Sequence, residues 1–242
     1  SSLYRVRAIL HQKTGQSSSA MTDYTQAVQL DPKNAPLQDE VGFYLFSVGE
    51  VAVAEKHIEQ AVKIDPQFFA AWNHLGLIQI TSGELTKARK SLSTAIKIKP
   101  DYVDALINRG FAAYQLKQFD KALADYNAAL KINPDAVNAH NNLGLIDYEK
   151  EDYKSAVANF TKCIMLEPKN PKYFEHRRMA YLKLGMNIEA SNDANQWKQL
   201  QQRSLVNQQI TRQPANAIGY LARAELAFRD GHFKKALLDF DR

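Results

Sequence analysis

The stretch Val137–Asn170, VNAHNNLGLIDYEKEDYKSAVANFTKCIMLEPKN, decides the fold. In its first half Ala139, Leu143, Ile146 and Asp147 stand one or two turns apart, a spacing that predicts an amphipathic helix. Lys150-Glu151-Asp152 makes a short polar turn. From about Lys154, the residues Ala156, Phe160, Cys163 and Ile164 share one face of a second helix, which Pro168 ends. The unit is a helical hairpin with a small residue in each helix, where two backbones come close. One such hairpin cannot bury its apolar face alone, so it requires stacked neighbours.

Stepping by 34 residues reproduces the pattern without a gap from Ser1 to Asn170. The small residue of the first helix is Ala8, Gly42, Gly76, Gly110 and Gly144. The second helix carries Ala20, Ala54, Ala88, Ala122 and Ala156. A large residue follows at Tyr24, Ile58, Leu92, Tyr126 and Phe160, then a small one at Ala27, Ala61, Ala95, Ala129 and Cys163. Pro32, Pro66, Pro100, Pro134 and Pro168 end each copy. Small residues allow a short interaxial distance and large ones fill the space between hairpins. Proline lacks an amide hydrogen and stops the helix. Asn34, Asp101, Asp135 and Asn170 are expected to cap the first helices that follow. Gly15, Gly49 and Gly83 suit a positive φ in the turn, where later copies have Lys117 and Glu151.

The columns Trp72, Leu75, Gly76, Ala88, Ala95 and Pro100 resemble the tetratricopeptide repeat. The resemblance spans nearly the whole chain. It implies an all-α, right-handed superhelical solenoid of antiparallel helix pairs, with first helices lining a concave groove. We read one solenoid over 1–242, with repeats 1–34, 35–68, 69–102, 103–136 and 137–170, an irregular long repeat 171–216 and a truncated repeat 217–242.

The irregular copy keeps Ala180, Tyr181, Gly185 and Ala190, then has Ala194 where a large residue is expected and Trp197 where a small one is. Its terminator, Pro214, falls 46 residues after Pro168 rather than 34. The simplest expectation is an overlong second helix, and the alternative is a break near Arg203. The pattern resumes with Ala224, Gly231, Phe233, Ala236 and Phe240. A chain that starts without methionine and stops in mid-pattern with no capping helix is expected to be part of a longer protein.

Composition excludes several classes. The net charge is +5 and the bases are dispersed, so nucleic-acid binding is not expected. No apolar run approaches the roughly 18 residues of a membrane span. The single cysteine, Cys163, excludes an internal disulfide framework and fits a cytoplasmic protein or a bacterial periplasmic one. No phosphate loop, His-Glu-x-x-His or cysteine-pair site is present, so no cofactor, metal or catalytic role is expected. His74, His140 and His176 recur at the repeat spacing, not at a metal-site spacing. The sequon Asn159-Phe160-Thr161 is too common a pattern to use.

The sixth position of the first helix reads Val6, Glu40, His74, Asn108, Asn142, His176 and Ala222, and Asn73 and Asn141 add amides one residue earlier. Side-chain amides in successive repeats can donate to and accept from an extended peptide backbone. The row resembles the asparagine ladder in the repeat arm of O-GlcNAc transferases; tolerance of asparagine on a solvated face is the alternative. The ninth column (Phe43, Leu77, Phe111, Leu145, Met179) is expected to be core. The twelfth, with Phe46, Tyr114 and Tyr148, is expected to be a partly exposed floor. The family's carboxylate-clamp pattern is absent from any three successive copies.

The expected partner is a protein or peptide segment bound by Asn73, His74, Asn108, Asn141, Asn142, His176, Phe46, Tyr114 and Tyr148, on a non-catalytic scaffold. The alternatives are a substrate-recruiting arm of a larger, O-GlcNAc-transferase-like enzyme, and self-association. Copy two carries a net −4 and copy six a net +4, which suits head-to-tail stacking or, more simply, solvated outer faces.

Overall fold

The computed structural model describes residues 1–212 and 217–240. Pro214 and Asn216 of the irregular copy lie outside them, as do the side chains of Phe233 and Phe240. The described residues are all helix and turn, without a strand. First helices run α1 (Ser2–Lys13), α3 (Ala35–Ser47), α5 (Phe69–Thr81), α7 (Val103–Gln115), α9 (Val137–Glu149), α11 (Pro171–Lys183) and α13 (Ala217–Arg229). Second helices run α2 (Ser17–Leu30), α4 (Val51–Ile64), α6 (Leu85–Ile98), α8 (Phe119–Ile132), α10 (Tyr153–Leu166), α12 (Asn187–Arg212) and α14 (Phe233–Phe240). The chain packs as two compact units, 1–139 and 140–242.

Glycine sets the hairpin geometry. A Cβ added to Gly42, Gly76, Gly110 or Gly144 would lie 2.6, 2.4, 2.6 or 2.6 Å from the side chain of Ile58, Leu92, Tyr126 or Phe160. Those four large side chains are fully buried. The alanine columns Ala20, Ala54, Ala88, Ala122 and Ala156 are also fully buried, with Ala27, Ala61, Ala95, Ala129 and Cys163 one turn or two beyond. In copy six the sizes are exchanged: the sequence has Arg178 at the glycine position and Ala194 at the large one.

Each hairpin turn needs one left-handed residue. Gly15, Gly49, Gly83, Gly185 and Gly231 have φ between 73° and 92°. Lys117 and Glu151 adopt the same conformation, at φ 58° and 63°, although a Cβ disfavours it.

The caps correct the sequence reading in part. Asn34 Oδ1 accepts from the Leu37 amide at 3.0 Å and Asn170 Oδ1 from the Lys172 amide at 3.2 Å. Asp101 does not cap: Tyr102 is the N-cap of α7. The helix start is fixed by the 34-residue period and Asp101 falls one residue early. Asp152 caps α10 instead, accepting from the Ser155 amide at 3.2 Å.

The irregular copy contains one continuous helix, α12, of 26 residues, against 14 in α2, α4, α6, α8 and α10. There is no break at Arg203. Val206 and Ile210 on its added turns are buried against Leu226 of α13.

Two substitutions test this geometry by urea denaturation. Gly76→Ala, which drives a methyl into Leu92, should lower stability by about 1–3 kcal/mol. Glu151→Gly, which relieves a left-handed residue, should raise it by about 0.5–1 kcal/mol.

Candidate functional site

The fifth and sixth positions of the first helix work as a pair across successive hairpins. In unit 1–139, Arg5 Nε donates to Glu40 Oε2 at 2.7 Å, His74 Nδ1 meets Asp39 Oδ1 at 2.8 Å, and Asn108 Nδ2 donates to Asn73 Oδ1 at 3.0 Å. In unit 140–242, His176 Nδ1 meets Asn141 Oδ1 at 2.9 Å. Every pair is 35 residues apart. The fifth-position side chain of one copy thus holds the sixth-position side chain of the next. In copy four the fifth position is Ile107, which has no polar atom to offer. Asn142 instead accepts from its neighbour Asn141 Nδ2 at 3.3 Å.

The nine candidate residues therefore divide by depth. Asn73 and Asn141 are buried, 5% and 3% exposed, so they do not face a groove. Their amides are spent inside the scaffold, where an unpaired one would cost about 1–3 kcal/mol. His74, Asn108, Asn142 and His176 are half-buried. The bonds above use one polar atom of each of these four. That leaves Nε2 of His74 and His176, Oδ1 of Asn108 and Nδ2 of Asn142.

The aromatic columns also depart from expectation. Phe43 and Met179 of the ninth column are exposed, at 41% and 39%, and are not core. Phe43 stacks on the His74 ring at 4.4 Å, and Phe46 lies 6.3 Å from Phe43. Tyr114 and Tyr148 sit half-buried at the turn end of their hairpins, against Phe119 at 5.9 Å and Tyr153 at 5.3 Å. Their rings close the turn end of the hairpin. A hollow of about 360 Å³ is lined by Arg5, Asp39, Glu40, Phe43, Tyr44 and His74, among others. It brings the polar pairs and the Phe43–His74 stack together.

Sequence reading missed a second polar device. Arg7, Arg109, Arg177 and Arg223 each grip an aspartate 16 residues on with two hydrogen bonds, namely Asp23, Asp125, Asp193 and Asp239. The Arg7 guanidinium holds the Asp23 carboxyl below its ordinary value. Arg109 and Arg177 also donate to Ser93 and Thr161 of the preceding hairpin, at 3.2 and 3.0 Å. Copies two, three and five have Val41, Leu75 and Leu143 in place of the arginine. Their His57, Ser91 and Asn159, in place of the aspartate, bond Gln38, Gln79 and Asp147. The signal was present in the sequence: arginine and aspartate occur together or not at all.

Among the described residues no three His, Cys, Asp or Glu side chains gather as a metal site. Cys163 is buried, and burial pushes its thiol up to about 12, which makes it unreactive packing. No helix of the described residues is long and apolar enough to cross a membrane.

With this geometry in place, comparison identifies the class. Family models of the tetratricopeptide repeat match residues 3–34, 103–136 and 137–170, and a related model described as a TPR repeat matches 80–117. The chain belongs to the tetratricopeptide repeat family. No curated protein matches it. Among solved structures, a tetratricopeptide repeat protein from Parabacteroides merdae is 20% identical, with TM-score 0.67, covering 99% of this chain and 90% of that one. TTC0263, a thermophilic TPR protein of Thermus thermophilus, is 19% identical, with TM-score 0.63, covering 75% and 98%. YrrB, a TPR protein with an unusual peptide-binding site, is 17% identical, with TM-score 0.55, covering 83% and 97%. These likenesses show the fold, an all-α helix-pair repeat.

His176 provides a test of the buried pairs. Desolvation, with Lys172 adding to it and Glu175 opposing, lowers its pKa from 6.5 to about 4. The imidazole is thus neutral when folded and must charge to equalise with the unfolded chain. This contribution to stability is full above about pH 6.5 and is lost as pH falls towards about 4, by roughly 2–3 kcal/mol. Burial lowers His57 in the same direction. Urea midpoints should fall across this window, and His176→Asn should flatten the slope.

Proposed function

We propose that the chain is a non-catalytic scaffold that binds an extended peptide segment along its first helices. The observation that carries this reading is the sixth-position row. Glu40, His74, Asn108 and His176 are each fixed from behind by the preceding copy. His74, Asn108 and His176 keep a polar atom that no internal bond uses. Groups locked before binding lose little side-chain entropy when a ligand arrives. Asn108 Oδ1 can accept in unit 1–139 and Asn142 Nδ2 can donate in unit 140–242, each complementary to one group of an extended backbone. The Phe43–His74 stack and the rims at Phe46, Tyr114 and Tyr148 supply apolar surface for alternate side chains. The fold it shares with YrrB, a TPR protein with a peptide-binding site, agrees with such a use.

Peptides selected from a random displayed library against the full chain provide the probe. Asn108→Ala and Asn142→Ala should each weaken the selected peptide by about ten-fold, near 1.4 kcal/mol. Circular dichroism should show the helix content unchanged. Unaltered affinity in both variants would contradict the reading.

A further inference from the structure

The added turns of α12 create a second surface that the regular copies lack. Between α12 and the α13–α14 hairpin lies a cleft of about 800 Å³. That size falls within the range of ligand clefts, about 300–1,000 Å³. Its charged lining is Lys169, Arg203, Arg223 and Lys235, with Asp230 the acid among them. Asp230 is taken up by Arg203, and Arg223 forks onto Asp239. Lys169 and Lys235 are exposed, and no ion pair among the described residues reaches either. The cleft therefore keeps uncompensated positive charge.

The rest of the wall narrows the ligand. Leu200, Leu226 and Ala227 give it an apolar strip, and Ser204, Asn207 and Gln208 give it hydroxyl and amide groups from α12. A small inorganic anion would leave the apolar strip and most of the volume unused. A single-stranded nucleic acid requires flat rings to stack its bases, and among the described residues no Phe, Tyr or Trp lines the cleft. An extended peptide with acidic side chains on either side of an apolar one meets all three kinds of lining. We propose that this cleft is a docking site for an acidic, leucine-containing peptide segment of a partner protein, separate from the first-helix row.

The test uses a fluorescein-labelled Glu-Leu-Glu-Glu-Leu-Glu peptide and the full chain, read by anisotropy at low salt. Saturable binding is expected, weakened about ten-fold or more by Lys169→Glu with Lys235→Glu. It should change less than about two-fold with Lys97→Glu and Lys131→Glu, the same charge change on exposed positions of α6 and α8. The glutamine counterpart peptide should bind at least about ten-fold more weakly. The proposal is overturned by absence of binding, by equal loss in the two double variants, or by equal affinity for the glutamine peptide. It is also overturned if an oligothymidylate competes better than the unlabelled peptide, or if inorganic phosphate displaces the peptide where chloride of equal ionic strength does not. Asn108→Ala should leave this affinity unchanged, which separates the cleft from the peptide row.

Discussion

The close contact between the two helices of a hairpin, made where glycine faces a large side chain, is the constraint on which the rest depends. At Gly76 a single added carbon would sit 2.4 Å from Leu92, well inside any permitted contact. Because this contact recurs at Gly42, Gly76, Gly110 and Gly144, the hairpins share one internal geometry. Equal hairpins bring equal positions of neighbouring first helices into the same relation. That is why the polar pairs recur at the single separation of 35 residues. Copy six, with Arg178 and Ala194 at these positions, is also the copy whose second helix runs on for 26 residues.

Upon this frame the polar side chains act in two layers. The inner layer is structural: Asn73, Asn141 and Asp39 are buried, and each orients the residue outside it. The Arg–Asp forks add a second internal bond in the hairpins that lack an apolar residue at that place. Buried, satisfied networks of this kind fix register more than they add net stability. The outer layer of His74, Asn108, Asn142 and His176 inherits its orientation from the inner one. The orientation of the outer residues thus depends on buried ones behind them.

Much of the fold was legible because its determinants are columns of extreme residues. Glycine, alanine and proline at a fixed period leave few alternatives, and the added residues before Pro214 pointed to an overlong helix. The site was only half legible. Positions five and six are both polar, and an asparagine looks the same in sequence whether its amide is buried in a pair or turned outward. In sequence, Asn73 and Asn141 therefore look like Asn108 and Asn142. The ninth column misled for the converse reason: Phe43 reads as core, yet it lies exposed on an imidazole face. Asp101 is a good capping residue one position too early, and a one-residue error is beyond what composition resolves.

The outer row is held from behind and keeps one polar atom that no internal bond uses. Long-range proton–nitrogen correlation of the imidazole rings measures this directly on the unliganded protein at neutral pH. His176 should appear neutral and protonated on Nδ1, the nitrogen that donates to Asn141, with Nε2 bare. A His176 protonated on Nε2, or averaging between tautomers as a solvated imidazole does, would contradict the account.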